Sequence, residues 1–243
     1  MKLRRIVQKV HRWLALLLGV QVILWMASGV IMSWFHISLV RGEVNSTVAF
    51  SPELVARSYA SPGGAIAQMD GVTELRLKNF LGQAVYEVTG ANGIALFSAE
   101  TGTRISPISK EQAREVAKSD FSGSDKINDI ERLTNPPHEY RGASPVWRVS
   151  FDDDLNTHIY VSPDTGEVSA RRNKVWRLYD FFWMLHIMDY GEREDFNNPL
   201  IRAASATGLL FALSGLVLIV TRLRNGRYMD DLRKPENRSK KQL

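Results

Sequence analysis

The chain has 243 residues, 44% of them hydrophobic, a formal charge of +5 and no cysteine. Lacking cysteine, it cannot form disulfides, thiolate metal sites, iron–sulfur clusters or a covalent CxxCH haem attachment. Thirteen Lys or Arg against three Asp or Glu lie in segments 1–12 and 222–243, whereas the stretch between carries eighteen against twenty-three, so the basic balance is confined to the flanks and offers nothing to nucleic acid.

Residues 1–12 form a basic tail, and from Trp13 to Phe35 no charged residue occurs. About 20 apolar residues cross a hydrocarbon core of about 30 Å, which predicts a transmembrane helix over 13–36. A cleaved signal peptide is the competing reading. The apolar run is longer than a usual signal core and no small-x-small site follows Trp34-Phe35-His36, which favours a signal anchor.

The next part contains one pattern twice. In the first unit, 41–106, Ser51-Pro52-Glu53 resembles a helix start and the strand-like pieces TELRLKN, AVYEV and IALFS follow, closing on a Thr101-Gly102 turn. In the second, 107–174, Ser109 and Gln112 form a capping-box pattern, and Ala113, Val116 and Ala117 share one helix face. The strand candidates INDIERL, VWRVSF, THIYVS and EVSARR follow, with a turn at Pro163–Gly166. Tyr86-Glu87-Val88, Ser98 and Thr101-Gly102 answer to Trp147-Arg148-Val149, Ser162 and Thr165-Gly166. Asp152-Asp153-Asp154 reads as a solvated hairpin tip, since no EF-hand spacing accompanies it.

Segment 175–190 is aromatic and apolar but interrupted by Arg177, Asp180 and Asp189, which predicts an interfacial or re-entrant helix. Asn198-Pro199 then reads as a cap opening a second transmembrane helix over 199–221, followed by the basic tail 222–243. Because Lys and Arg collect on cytoplasmic flanks, both termini are assigned to the cytoplasm and the central domain to the periplasmic side of a cell inner membrane. Small residues on the spans, Ala15, Gly19, Gly29 and Ser33 on the first and Ser205, Gly208, Ala212 and Gly215 on the second, predict close packing of the two spans or of two protomers. Gln21 is a polar residue within the first span, suited to a hydrogen bond across that interface.

A helix, an aromatic-x-Val strand, a hairpin and a Ser…Thr-Gly turn between membrane spans resemble the PepSY domain. The opening KVHRWLALLLGV and the helix ends SGVIMSW and SGLVLIVTRLR resemble those of PepSY-associated transmembrane proteins. The resulting fold class is an α+β membrane protein, with two transmembrane helices flanking an exported domain of two helix-plus-antiparallel-sheet units.

Without cysteine, histidine is the leading candidate for a metal or haem ligand. His11 is expected at the cytoplasmic mouth of the first span, His36 at its outer mouth and His186 in the aromatic segment at that same level, with His138 and His158 in the exported domain. His11 and His36 are separated by 25 residues of helix, roughly 37 Å, and cannot share a metal. His36 and His186 are the candidate pair for a b-type haem walled by Trp34, Phe35, Phe181, Phe182, Trp183, Met184 and Met188; the plainer alternative is an aromatic belt with no cofactor. His11 is a further candidate ligand if a dimer or partner supplies a second imidazole, against the alternative of a headgroup-binding cluster.

The resemblance implies a component of a membrane electron-transfer or metal/siderophore-reduction system. The alternative is a non-catalytic, membrane-anchored regulatory subunit whose PepSY domain binds another membrane or periplasmic protein. No HExxH, GxSxG, P-loop or Rossmann signature is present.

Overall fold

The computed structural model describes residues 2–47, 54, 58–123 and 126–224; the helix expected to open at Ser51-Pro52-Glu53 and the tail from 225 onward lie outside these. The chain divides into two units, Met1–Trp34 with Asp180–Leu243, and Phe35–Tyr179.

The first unit is helical. α1 (Lys2–Trp34) and α6 (Pro199–Arg224) contain segments, Arg5–Trp34 and Pro199–Arg224, that are long and apolar enough to cross a membrane. Leu16 and Leu17 are each 73% exposed and Val20 70%, a continuous apolar surface that water would not tolerate and lipid would. The inward face of α1 holds Leu18 and the fully buried Ser28. The small residues of α6 make close contact with α1, for a Cβ at Gly215 would stand 3.2 Å from His11 and one at Gly208 4.0 Å from Trp25. Gly19 and Gly29 of α1 have nothing within 4 Å at that position, so α1's own glycines take no part in this packing. The predicted cap is formed: Asn198 Oδ1 accepts the Ile201 amide at 3.0 Å, and Pro199 is the first helical residue. The Gln21 Nε2 is buried without a partner, so the expected interhelical hydrogen bond is not made.

The second unit is α+β. It begins with the short helices α2 (Ile37–Val40) and α3 (Gly63–Ile66), then the antiparallel sheet β1 (Glu74–Phe80), β2 (Gln83–Gly90), β3 (Gly93–Ser98). Next come α4 (Lys110–Asp120) and a second antiparallel sheet in the order β4 (Ile127–Leu133), β5 (Val146–Phe151), β6 (His158–Val161), β7 (Val168–Arg172). α5 (Lys174–Ile187) follows, its first turns in this unit and its last in the helical one.

Both halves of the predicted capping box are present in α4: Ser109 Oγ accepts the Gln112 amide at 3.2 Å and Gln112 Oε1 accepts the Ser109 amide at 2.8 Å. Ala113, Val116 and Ala117 turn inward to one core with Val149, Phe151, Ile159 and Val161 of the second sheet and Val85 and Leu96 of the first. Alternate residues face the opposite way, Ala84, Tyr86, Val88 and Phe97 forming a second cluster and Val146 and Tyr160 a third.

The sequence repeat is also a structural one. Tyr86 pairs with Phe97 as Trp147 pairs with Val161. The Gly102 amide donates to the Ser98 carbonyl at 2.8 Å and that of Gly166 to the Ser162 carbonyl at 2.9 Å, with both glycines at positive φ. The units differ in that β7 completes four strands in the second, whereas the first has a single bridge, Phe97 to Arg104, at the corresponding place.

Candidate functional site

Two histidines project within the helical unit, each secured by a serine on another helix. His11 Nδ1 lies 2.8 Å from Ser214 Oγ, and its ring stacks on Phe211 at 4.4 Å and 10°. His186 Nδ1 lies 2.9 Å from Ser28 Oγ, and its carbonyl accepts from Trp25 Nε1 at 2.8 Å. A serine hydroxyl has one hydrogen to give. Ser28 gives it to the Leu24 carbonyl at 2.7 Å, and Ser214 gives its own to the Phe211 carbonyl at 2.7 Å. With the hydroxyl hydrogen assigned to the carbonyl, each Oγ accepts from imidazole and the ring is the Nδ1–H tautomer. In that tautomer Nε2 carries the lone pair, and it has no hydrogen bond among the described residues, the state in which histidine binds a metal.

His36 is set the other way. It caps α2, its Nδ1 accepting the Ser38 amide at 3.4 Å beside Ser38 Oγ at 2.7 Å. Nδ1 is thus an acceptor, which places the proton on Nε2. His186 lies deeper than the outer mouth expected for it, since Ser28 precedes the end of α1 at Trp34 by six residues, about 9 Å. Ser28 is seventeen residues from His11 along α1, about 25 Å, so His11 and His186 cannot ligate one iron. Of the expected aromatic walls, Phe181 and Phe182 meet edge to face at 5.4 Å, while Trp183 Nε1 donates to the Arg193 carbonyl at 3.0 Å. Arg193 in turn donates to the buried Asp180 at 2.6 Å, holding the 191–195 loop on α5.

The α+β unit contains a polar network that sequence reasoning did not single out. Glu139 Oε1 accepts from His158 Nδ1 at 2.6 Å and from the Tyr160 hydroxyl at 2.7 Å; Oε2 accepts from Arg177 Nε at 2.7 Å. Arg172 Nε donates to the Glu139 carbonyl at 2.5 Å, and its guanidinium lies 4.2 Å over the Trp176 ring. Burial alone would raise the Glu139 pKa, but the hydrogen bonds from His158, Arg177 and Tyr160 and the Arg177 charge outweigh it and hold the carboxyl far below its ordinary range. Burial, then the hydrogen bond and charge of Glu139, push the Tyr160 phenol above its ordinary value. The network fastens the start of α5 to β6. Nothing local marks Glu139 in the sequence, because its partners come from three distant segments; His158, already noted, was the only signal.

At the acidic triplet, Asp153 accepts from the Thr157 amide and hydroxyl, each at 2.7 Å, which closes the hairpin tip. Among the described residues no three His, Asp or Glu side chains converge as a metal site.

Residues 107–172 match the family model described as Peptidase propeptide and YPEB domain, PepSY, a span that coincides with α4 and the four-stranded sheet. Comparison with curated proteins and with solved structures gives no match. The segment 107–172 is therefore similar to the PepSY domain, and the chain carries, on either side of its α+β region, a helix long and apolar enough to cross a membrane.

Proposed function

We propose that this protein is an inner-membrane component of an electron-transfer or metal/siderophore-reduction system, with cytoplasmic termini and a periplasmic PepSY domain, and that it binds b-type haem through His11 and His186. The observation that carries the reading is a shared geometry: two histidines of the helical unit, His11 on α1 and His186 on α5, each with Nδ1 on a serine hydroxyl and Nε2 without a hydrogen bond among the described residues. The donor set fits haem as two half-sites. Each lies about 25 Å from the other, so the second imidazole at each would come from a second copy or a partner subunit. Haem held in this way carries single electrons. The serines orient the imidazoles, and Phe211 and Trp25 pack beside them in a lipid-facing bundle.

The test is a reduced-minus-oxidised spectrum of the full chain purified in mild detergent from haem-replete cells. Soret and α bands are expected, weakened by His11→Ala and by His186→Ala separately. Their absence from the wild type overturns the reading. His36→Ala examines the pairing expected from sequence, and its tautomer argues that the bands survive. The non-catalytic alternative, a partner-binding PepSY domain, is supported by the edge strands of the two sheets. It predicts co-purification of a dominant protein partner without a chromophore.

A further inference from the structure

A groove of about 320 Å³ runs between α4 and β4, lined by Lys110, Arg114 and Lys118 on the helix and by Ile127, Asn128, Asp129 and Ile130 on the strand. Two features of it point to the same kind of ligand. β4 is an edge strand, paired with β5 on one side and, among the described residues, with nothing on the other. The three cations are exposed, none makes an ion pair among the described residues, and they recur every fourth residue of one helix, about 6 Å apart. Alternate side chains of an extended chain recur at about 6.6 Å. A strand added beside β4 would therefore present every second side chain at nearly the spacing of Lys110, Arg114 and Lys118. Glu111 and Glu115 of α4 do not line the groove; Asp129 does, and leaves it with a net positive lining.

We infer that this groove binds an extended acidic polypeptide segment, with Asp or Glu at alternating positions, by strand addition to β4. The backbone of the segment supplies the ladder hydrogen bonds, and its carboxylates meet the cationic row of α4. This surface is independent of His11 and His186, and haem loading has no bearing on it.

The experiment uses the full chain in nanodiscs of zwitterionic lipid and fluorescence anisotropy of a labelled peptide with glutamate at every second position and valine or threonine between. Saturable binding is expected. The triple variant Lys110→Glu, Arg114→Glu, Lys118→Glu is expected to weaken it by about tenfold or more, since three exposed pairs are each replaced by repulsion. Arg114→Gln should have a smaller effect in the same direction. Two control peptides separate strand addition from diffuse ion exchange: one of the same composition with its glutamates contiguous, and one N-methylated at alternate amides; each must bind more weakly. The proposal is overturned if the peptide does not bind, if the triple variant or either control peptide binds as well as the reference pair, or if the cations instead direct binding to anionic vesicles that the peptide does not compete for.

Discussion

Replacing Glu139 by Leu removes the acceptor shared by His158, Tyr160 and Arg177 while leaving all three donors in place. Breaking a buried ion pair by deleting one partner costs about 3–5 kcal/mol. The Glu139 side chain is 14% exposed and that of Arg177 29%, so water reaches the abandoned guanidinium and the lower end, about 3 kcal/mol, applies. For a domain of this size about 2–4 °C is lost per kcal/mol, which predicts a drop in Tm of roughly 6–12 °C. The assay is thermal unfolding of the full chain in detergent, followed by β-sheet circular dichroism. Arg177→Met in the Glu139→Leu background should recover part of the loss, since it removes the orphaned charge. The pH dependence follows from the same geometry. The folded-state pKa of Glu139 is depressed, so its contribution is complete above the unfolded-state value of about 4.3 and is lost as pH falls below that toward the folded-state value. A Glu139→Leu protein with a Tm within about 2 °C of wild type at pH 7, or one whose deficit fails to shrink in acid, refutes the view that this carboxylate ties α5 to β6.

Further outcomes follow from the packing. Ser109→Ala should destabilise the domain by about 1 kcal/mol through loss of the capping box, read from chemical denaturation. Gly102→Ala and Gly166→Ala both place a side chain at positive φ and should each cost about 1 kcal/mol. Only at Gly166 would the new Cβ clash with the Phe80 ring, which adds about 1–3 kcal/mol; equal losses at the two sites would contradict the packing described. Gly215→Leu should push His11 away from Ser214 and remove any haem signal that depends on His11, while Gly19→Leu, in open space, leaves that signal unchanged. Gln21→Leu should leave detergent-solubilised stability unchanged or raised, because the buried amide it removes has no partner.

The local elements of this protein were legible in its sequence because each is set by short-range chemistry. The charge-free run after Trp13, the Ser109–Gln112 box, the Asn198-Pro199 start and the Ser…Thr-Gly turns were readable from a few adjacent residues. The strands β4 and β5 coincide with INDIERL and VWRVSF; in the second, Trp147, Val149 and Phe151 recur at every other position, whereas the first is irregular and shifts register between Ile127 and Asp129. The duplication was legible too, because a repeated turn enforces the repeated register that Tyr86–Phe97 and Trp147–Val161 display.

Tertiary structure decided what depends on partners brought from far along the chain. Sequence placed His36 and His186 at one level; it could not reveal that a serine 158 residues from His186 and another 203 residues from His11 face the Nδ1 of both rings, or that His36 Nδ1 is instead turned to the Ser38 amide and hydroxyl. A tautomer depends on the neighbour that faces the ring, and composition carries no record of it. The same reason hid Glu139, and it hid the fit between a cationic row on α4 and the open edge of β4, which exists only once helix and sheet are packed. Two apolar helices at the ends of the chain were therefore determined by the sequence alone, through the length and continuity of their apolar runs; what their few polar residues can do was determined by the fold.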